Sequence, residues 1–168
     1  MRQVENQALT ERNPSGVRML GEGEIGMSYW RFFYHIVWGT KDREPLITPK
    51  NETLIIRSIR ATCASKSAYV HGIGTMPDHF HLVVSVPPRI SISSFVHDIK
   101  GASSHLVRNT ESPKSFLWQG EFGAVTFDET LLAKIVAYAE NQKRHHTNGP
   151  TRPKLEIMTN YQPKQIPT

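Results

Sequence analysis

The chain predicts an α+β fold, a small sheet with helices packed on one face. Three observations carry that expectation. Segments of period two alternate with segments of helical period. Their order is strand, helix, strand, strand, helix, strand, helix, which a single sheet covered by helices satisfies. The segment His79 to Val86 also has one uniformly apolar side, formed by Phe80, Leu82, Val84 and Val86, which must be packed against something.

Residues 1–27 are polar and follow neither period, with a turn at Asn13-Pro14-Ser15-Gly16, and read as a poorly ordered extension. Residues 28–147 form the expected domain. Trp30 to Trp38 is rich in aromatic and β-branched residues and reads as the first strand, followed by a polar loop, Gly39 to Pro45. Residues 50–66 carry Leu54, Ile55, Ile59 and Cys63 at helical spacing. Residues 68–74 read as a second strand, Met76-Pro77-Asp78 as a turn, and His79 to Val86 as a third strand stopped by Pro87-Pro88. Ser91 to about Arg108 reads as a helix, with Ser112-Pro113 breaking it. Phe122 to Phe127 is a short fourth strand. Thr126 and Glu129 have capping-box spacing before a last helix that runs to about His146. Asn148-Gly149-Pro150 ends that helix, and residues 148–168 form a proline-containing tail.

The 168 residues suffice to bury a core, and 38% of them are hydrophobic against 21% charged. The net charge of +5 suits a polyanionic partner, although many proteins are mildly basic without one. Cys63 is the single cysteine, which excludes an intrachain disulfide and a cysteine-based zinc cluster and fits a reducing, cytoplasmic setting. No apolar run approaches the roughly 20 residues of a membrane span, and no membrane partner is expected.

The most informative segment is Met76-Pro77-Asp78-His79-Phe80-His81-Leu82-Val83-Val84. Alternation puts His79 and His81 on one side of a strand, away from the apolar side. At that spacing two imidazoles can grip one divalent ion. Two histidines one residue apart also arise as plain polar positions, and spacing alone does not choose between the readings. Asp78 can orient an imidazole or simply form the turn, and the turn reading is preferred.

On the last helix Tyr138 and Gln142 are four residues apart and share a face that changes from apolar to polar along its length. Such a helix can bring a phenol and an amide oxygen to a sheet. A tyrosine on an apolar stripe is also an ordinary core residue with its hydroxyl at the rim. The two pairs mean more together. A tyrosine can attack a phosphodiester and conserve its bond energy in a phosphotyrosine, and a metal held by two histidines and a glutamine keeps open positions for phosphate.

These residues resemble a known family. His79-Phe80-His81 matches the histidine–hydrophobic–histidine (HUH) motif. Tyr138 with Gln142 is similar to the tyrosine and following glutamine of the single-tyrosine HUH transposases, the insertion-sequence 200-like group. Trp38 to Arg43 and Leu117 to Gly123 resemble segments flanking the family's first and fourth strands, so the likeness runs from about Trp30 to His146. The resemblance implies a ferredoxin-like sandwich with an antiparallel four-stranded sheet. It implies Mg²⁺ or Mn²⁺ on His79, His81 and Gln142. It implies Tyr138 as the nucleophile that cleaves and rejoins single-stranded DNA through a 5′-phosphotyrosine. The substrate would be hairpin-bearing transposon ends, and the enzyme a homodimer with active sites shared between subunits. The extension and the tail are not part of the family pattern.

Lys41, Arg43, Arg60, Lys66, Arg89, Lys100, Arg108, Lys143 and Arg144 can line a path for DNA phosphates, with Lys41 and Arg43 first, though a solvated charge is the preferred reading of each alone. Trp30, Trp38 and Trp118 can stack on bases, though packing is the preferred reading. His35 shares the strand face of Arg31, Phe33 and Val37 and can approach the site, in a supporting role at most. His145 and His146 read as helix-end charges before replacement ligands. Two other functions fit the same residues. One is an HUH nickase of replication or relaxase type, which would act at a single origin. The other is an idle hairpin-binding regulator, which would form no covalent adduct.

Overall fold

Among the described residues, four strands and three helices follow the expected order. The computed structural model describes residues 29–111 and 116–143. The N-terminal extension, the Ser112-Pro113 break, the end of the last helix and the tail lie outside these residues. Strand β1 is Phe33–Gly39, helix α1 Pro49–Ser65, β2 Tyr69–Met76, β3 His79–Ser85, α2 Ile92–Glu111, β4 Gly123–Phe127 and α3 Leu132–Glu140. The sheet is antiparallel throughout in the order β2-β3-β1-β4.

Trp30 and Phe32 stand before β1, which starts at Phe33 where pairing with β4 begins. Helix α1 opens on Thr48, whose side chain accepts from the Asn51 amide while Asn51 answers the Thr48 amide, with Pro49 at the first helical position. The last helix is capped differently from expectation. Thr126 is still paired to Tyr34 in the sheet, so Asp128 takes over and accepts from the Thr130 amide, opening a 3-10 turn, Glu129–Leu131, ahead of α3.

The main core lies between the sheet and the pair α1 and α2, where Ile36, Trp38, Phe80, Leu82 and Val84 meet Ile55, Ile59, Phe95 and Ile99. These strand residues form the apolar side expected from alternation. Trp38 is fully buried and stacks on Phe80, and Trp118 packs beside them with its indole N–H donating to Ser103 Oγ, so both belong to packing. Cys63 is buried in the same core, and burial pushes its thiol up to about 12, which removes it from nucleophilic chemistry.

The third helix departs from the expectation of helices on a single face. α3 lies on the opposite side, where Ile135 and Ala139 pack with Val83, and with Leu132, Val136 and Phe127 at the margin. The α+β class and the four-stranded antiparallel sheet stand, with the sheet enclosed between two helical layers. Among the described residues no helix is long and apolar enough to cross a membrane.

Candidate active site

Three strand-to-loop junctions meet at the end of the sheet where β3 begins. In register, Gly39 of β1 stands opposite His79, Val37 opposite His81 and Gly74 of β2 opposite His81 on the other flank. Directly paired residues point to the same side, so His79, His81, His35, Gly39 and Gly74 share the side that α3 covers. The two rings of the pair lie 5.0 Å apart, centre to centre, at 68°.

Helix α3 reaches this spot because β2 has no side chains in its way. A Cβ on Gly74 would fall 1.8 Å from the Ala139 carbonyl oxygen, and one on Gly72 would fall 3.0 Å from Val136 Cγ1. The helix therefore rests backbone-to-backbone on the Gly72-Ile73-Gly74 stretch. Tyr138 is 4% exposed, and its ring stands edge-on to His81 at 6.2 Å and to His35 at 6.4 Å. The chain turns at Asn141 and resumes helical geometry at Gln142. Gln142 Cγ comes within 3.2 Å of the Cβ position of Gly74, which seats the amide beside His81. Gln142 Nε2 donates to the Tyr138 carbonyl at 3.2 Å, and Oε1 is buried with no hydrogen-bond partner among the described residues.

Each histidine is held from behind. His79 Nδ1 donates to Asp78 Oδ1 at 2.6 Å, and Arg43 Nη2 donates to Asp78 Oδ2 at 2.9 Å. Asp78 thus forms the turn, as preferred, and orients the imidazole as well. His81 Nδ1 lies 3.0 Å from Nε2 of His35, with the rings stacked at 5.1 Å. Burial lowers the His35 pKa from 6.5 to about 4, so near neutral pH it is uncharged and able to accept from His81 Nδ1–H. With Nδ1 engaged in both rings, Nε2 is the nitrogen by which each could meet a metal, as hydrogen bonds behind metal-binding histidines commonly arrange.

Of the basic residues, Lys41 and Arg43 are both exposed, and Arg43 spans to Asp78. Lys100 is buried, and its ammonium donates to the carbonyls of Gln119, Gly120 and Glu121 at 3.0, 3.1 and 2.8 Å. Burial lowers its pKa to about 8, with Glu121 opposing. Lys100 is a loop anchor and leaves the list of phosphate candidates. Lys143 reaches Glu52 of α1 at 2.8 Å. Sequence reasoning missed Gly72, Gly74 and Gln119. The signal for the first two was present, since two glycines in a strand mark the close approach of another backbone. Among the described residues no group of three or more histidine, cysteine or acidic side chains is arranged to hold a metal, so the candidate donor set is the mixed one of His79, His81 and Gln142.

A family model described as "Transposase IS200 like" matches residues 28–142. The chain belongs to the IS200-like transposase family. The match spans all four strands and both site pairs. This IS200-like chain is 29% identical over 128 residues to the ISDra2 transposase TnpA of Deinococcus radiodurans, covering 72% of this chain and 91% of that one. It is 29% identical over 125 residues to the transposase for insertion sequence element IS200 of Salmonella typhimurium, covering 74% and 82%. Two solved structures share the fold. One is a candidate transposase from Deinococcus radiodurans R1, with TM-score 0.55 and 21% identity over 76% of this chain and 99% of that one. The other is a REP-associated tyrosine transposase bound to a REP hairpin, with TM-score 0.56 and 16% identity over 71% and 74%. Membership of the IS200-like family assigns DNA transposition as the broad function.

Proposed function

We propose that this IS200-like transposase cuts and rejoins single-stranded DNA with Tyr138 as nucleophile and with His79, His81 and Gln142 as ligands of Mg²⁺ or Mn²⁺. The observation that carries the reading is the meeting of Tyr138 and Gln142 with the histidine pair across the contact between α3 and the sheet.

The donors suit a divalent cation. Two imidazole nitrogens and one amide oxygen are all neutral, so a bound ion would keep its charge for a phosphate. The buried Gln142 Oε1 is costly without a donor or cation to meet it. When bound, the metal supplies Lewis-acid polarisation of the scissile phosphate. The chain's own part is nucleophilic. The Tyr138 hydroxyl gives up its proton as its oxygen attacks phosphorus, the bond to the 3′ oxygen breaks, and that oxygen takes up a proton. The 5′ phosphate stays on Tyr138, and attack by a 3′-hydroxyl reverses the step and rejoins strands. Asp78 and His35 keep the two imidazoles aimed while this occurs.

The substrate in this reading is a hairpin-bearing transposon end. Family membership supports it, as does the fold-level likeness to a relative seen on a REP hairpin. The working form is a homodimer in which α3 of one subunit serves the histidines of the other. The family resemblance supports that exchange, while one chain by itself already juxtaposes the four residues.

A covalent-adduct assay tests the chemistry. Wild type, Tyr138→Phe and His79→Ala are mixed with single-stranded hairpin DNA in Mn²⁺ or EDTA and run on a denaturing gel. The expected result is a metal-dependent shifted band, absent from both variants. Tight hairpin binding without any band would support the idle DNA-binding alternative instead.

A further inference from the structure

We propose that Arg43 is a positioning residue of the metal site, acting on His79 through Asp78. The proposal rests on the reading of His79 as a metal ligand and adds a residue to that site.

The argument begins with the backbone. Asp42 and Arg43 both have positive φ, 55° and 58°. Two successive side-chain-bearing residues in the left-handed region are uncommon, and an arginine gains nothing there from local hydrogen bonding of its own. Such strain persists only where the surroundings impose it. Here they do. Thr40 is fully buried; its amide donates to the Asp78 carbonyl at 2.9 Å, and its hydroxyl lies 2.5 Å from the Glu44 carbonyl, its nearer acceptor, and 3.1 Å from that of Asp78. The Ile47 amide donates to the Pro77 carbonyl at 2.8 Å. The loop that carries Arg43 and the turn that carries Asp78 are therefore fastened on both sides of the strained pair.

The turn lets the arginine reach back over the sheet edge, although its side chain stays 44% exposed. A Cβ on Gly39 would lie 3.2 Å from Arg43 Cδ and 3.0 Å from Gln119 Oε1, so both side chains cross Gly39, directly opposite His79. The guanidinium then meets one oxygen of Asp78 while His79 Nδ1 meets the other. One carboxylate is fixed from two directions. Without the guanidinium, the part-exposed Asp78 side chain is free to leave His79, and the imidazole loses the hydrogen bond that sets its tautomer and ring angle. A bare phosphate contact at Arg43 would need neither the strain nor the carboxylate.

The test measures Mn²⁺ binding to the full chain without DNA, by calorimetry, alongside hairpin binding in EDTA. Wild type, His79→Ala, Arg43→Gln, Arg43→Lys, Asp78→Asn and the Arg43→Gln/Asp78→Asn double variant are compared. Asp78→Asn is expected to weaken Mn²⁺ binding by about 10- to 100-fold and Arg43→Gln by about tenfold. The double variant should be no weaker than Asp78→Asn alone, because the two act in series. Arg43→Lys keeps the charge and should recover part of the loss, which also answers a fold defect in Arg43→Gln. An Arg43→Gln variant that binds Mn²⁺ within about twofold of wild type but loses hairpin affinity would overturn the proposal and make Arg43 a phosphate contact. If wild type and His79→Ala bind Mn²⁺ alike, the ligand reading itself fails and this proposal falls with it.

Discussion

At His81 the partner behind the ring is another imidazole, His35, 3.0 Å away, whereas at His79 it is the carboxylate of Asp78, 2.6 Å away. The difference has a consequence in pH. Burial lowers the His35 pKa from 6.5 to about 4, so between those values the unfolded chain holds a proton that the folded chain does not. The folded state is thus favoured by this residue above about pH 6.5, and that advantage is lost as pH falls towards 4. Between pH 7 and pH 5 the metal-free protein should lose about 2 kcal/mol on this account. His71 is shifted downward by burial as well and adds to the slope. The comparison is therefore between wild type and His35→Leu in urea titrations with EDTA at the two pH values. A shallower slope in the variant is expected, and an unchanged slope would show that His35 is not the group responsible.

Helix α3 is short, and its position depends on what β2 lacks. Gly74→Ala would set a methyl group against the Ala139 carbonyl at 1.8 Å, a backbone atom that can yield only if the helix moves. Displacing a nucleophile by about 1 Å can cost on the order of a hundredfold in rate. Gly74→Ala should therefore lower the single-turnover rate of Tyr138 adduct formation by about that factor while leaving hairpin affinity near wild type. Gly101→Ala is the matched control. It lies in α2, where an added Cβ meets nothing within 4 Å, and should leave the rate alone while stabilising the fold by about 0.5–1 kcal/mol. Equal rates in both variants would mean that α3 does not need its glycine seat. Tyr138 is 4% exposed as α3 sits, so on this reading a DNA strand meets the phenol only when the helix shifts on that seat.

At the scale of the molecule the sheet separates two jobs. α1 and α2 bury the main core on one side, and α3 completes the candidate site on the other. The layers are tied around the β2 edge by Glu52 of α1, which receives Lys143 Nζ at 2.8 Å and the Thr75 hydroxyl. Burial works against the Glu52 carboxylate, and these two hydrogen bonds outweigh it and keep its pKa below the usual value. A contact as exposed as Lys143 contributes at most about 1 kcal/mol, so it biases the seating of α3 without locking it. Shared sites can be tested by mixing inactive subunits. His79→Ala and Tyr138→Phe proteins, co-refolded and supplied with hairpin DNA and Mn²⁺, should recover adduct formation if α3 serves the partner's histidines. No recovery, in a preparation shown by differential tags to contain mixed dimers, would mean that each chain uses its own tyrosine.

Much of this was legible from local periodicity. Alternation in β3 separated the two histidines from the apolar side, and four-residue spacing aligned Tyr138 with Gln142, because both patterns follow from the geometry of one element. The α+β class followed from the same periods. Residue order does not carry the contacts between elements. That α3 covers the histidine side follows from the register that sets Gly74 beside His81, and from the missing Cβ that lets a helix backbone approach. That Asp78 orients His79 as well as turning the chain depends on Thr40 and Arg43, some 35 to 38 residues earlier. Lys100, by its charge a candidate for phosphates, proved to be buried under three carbonyls. By itself the sequence determined which side chains each strand and helix would present, because side-chain direction repeats with backbone period. Only the tertiary structure decided which of those faces meet, because register and close packing join residues far apart in the chain.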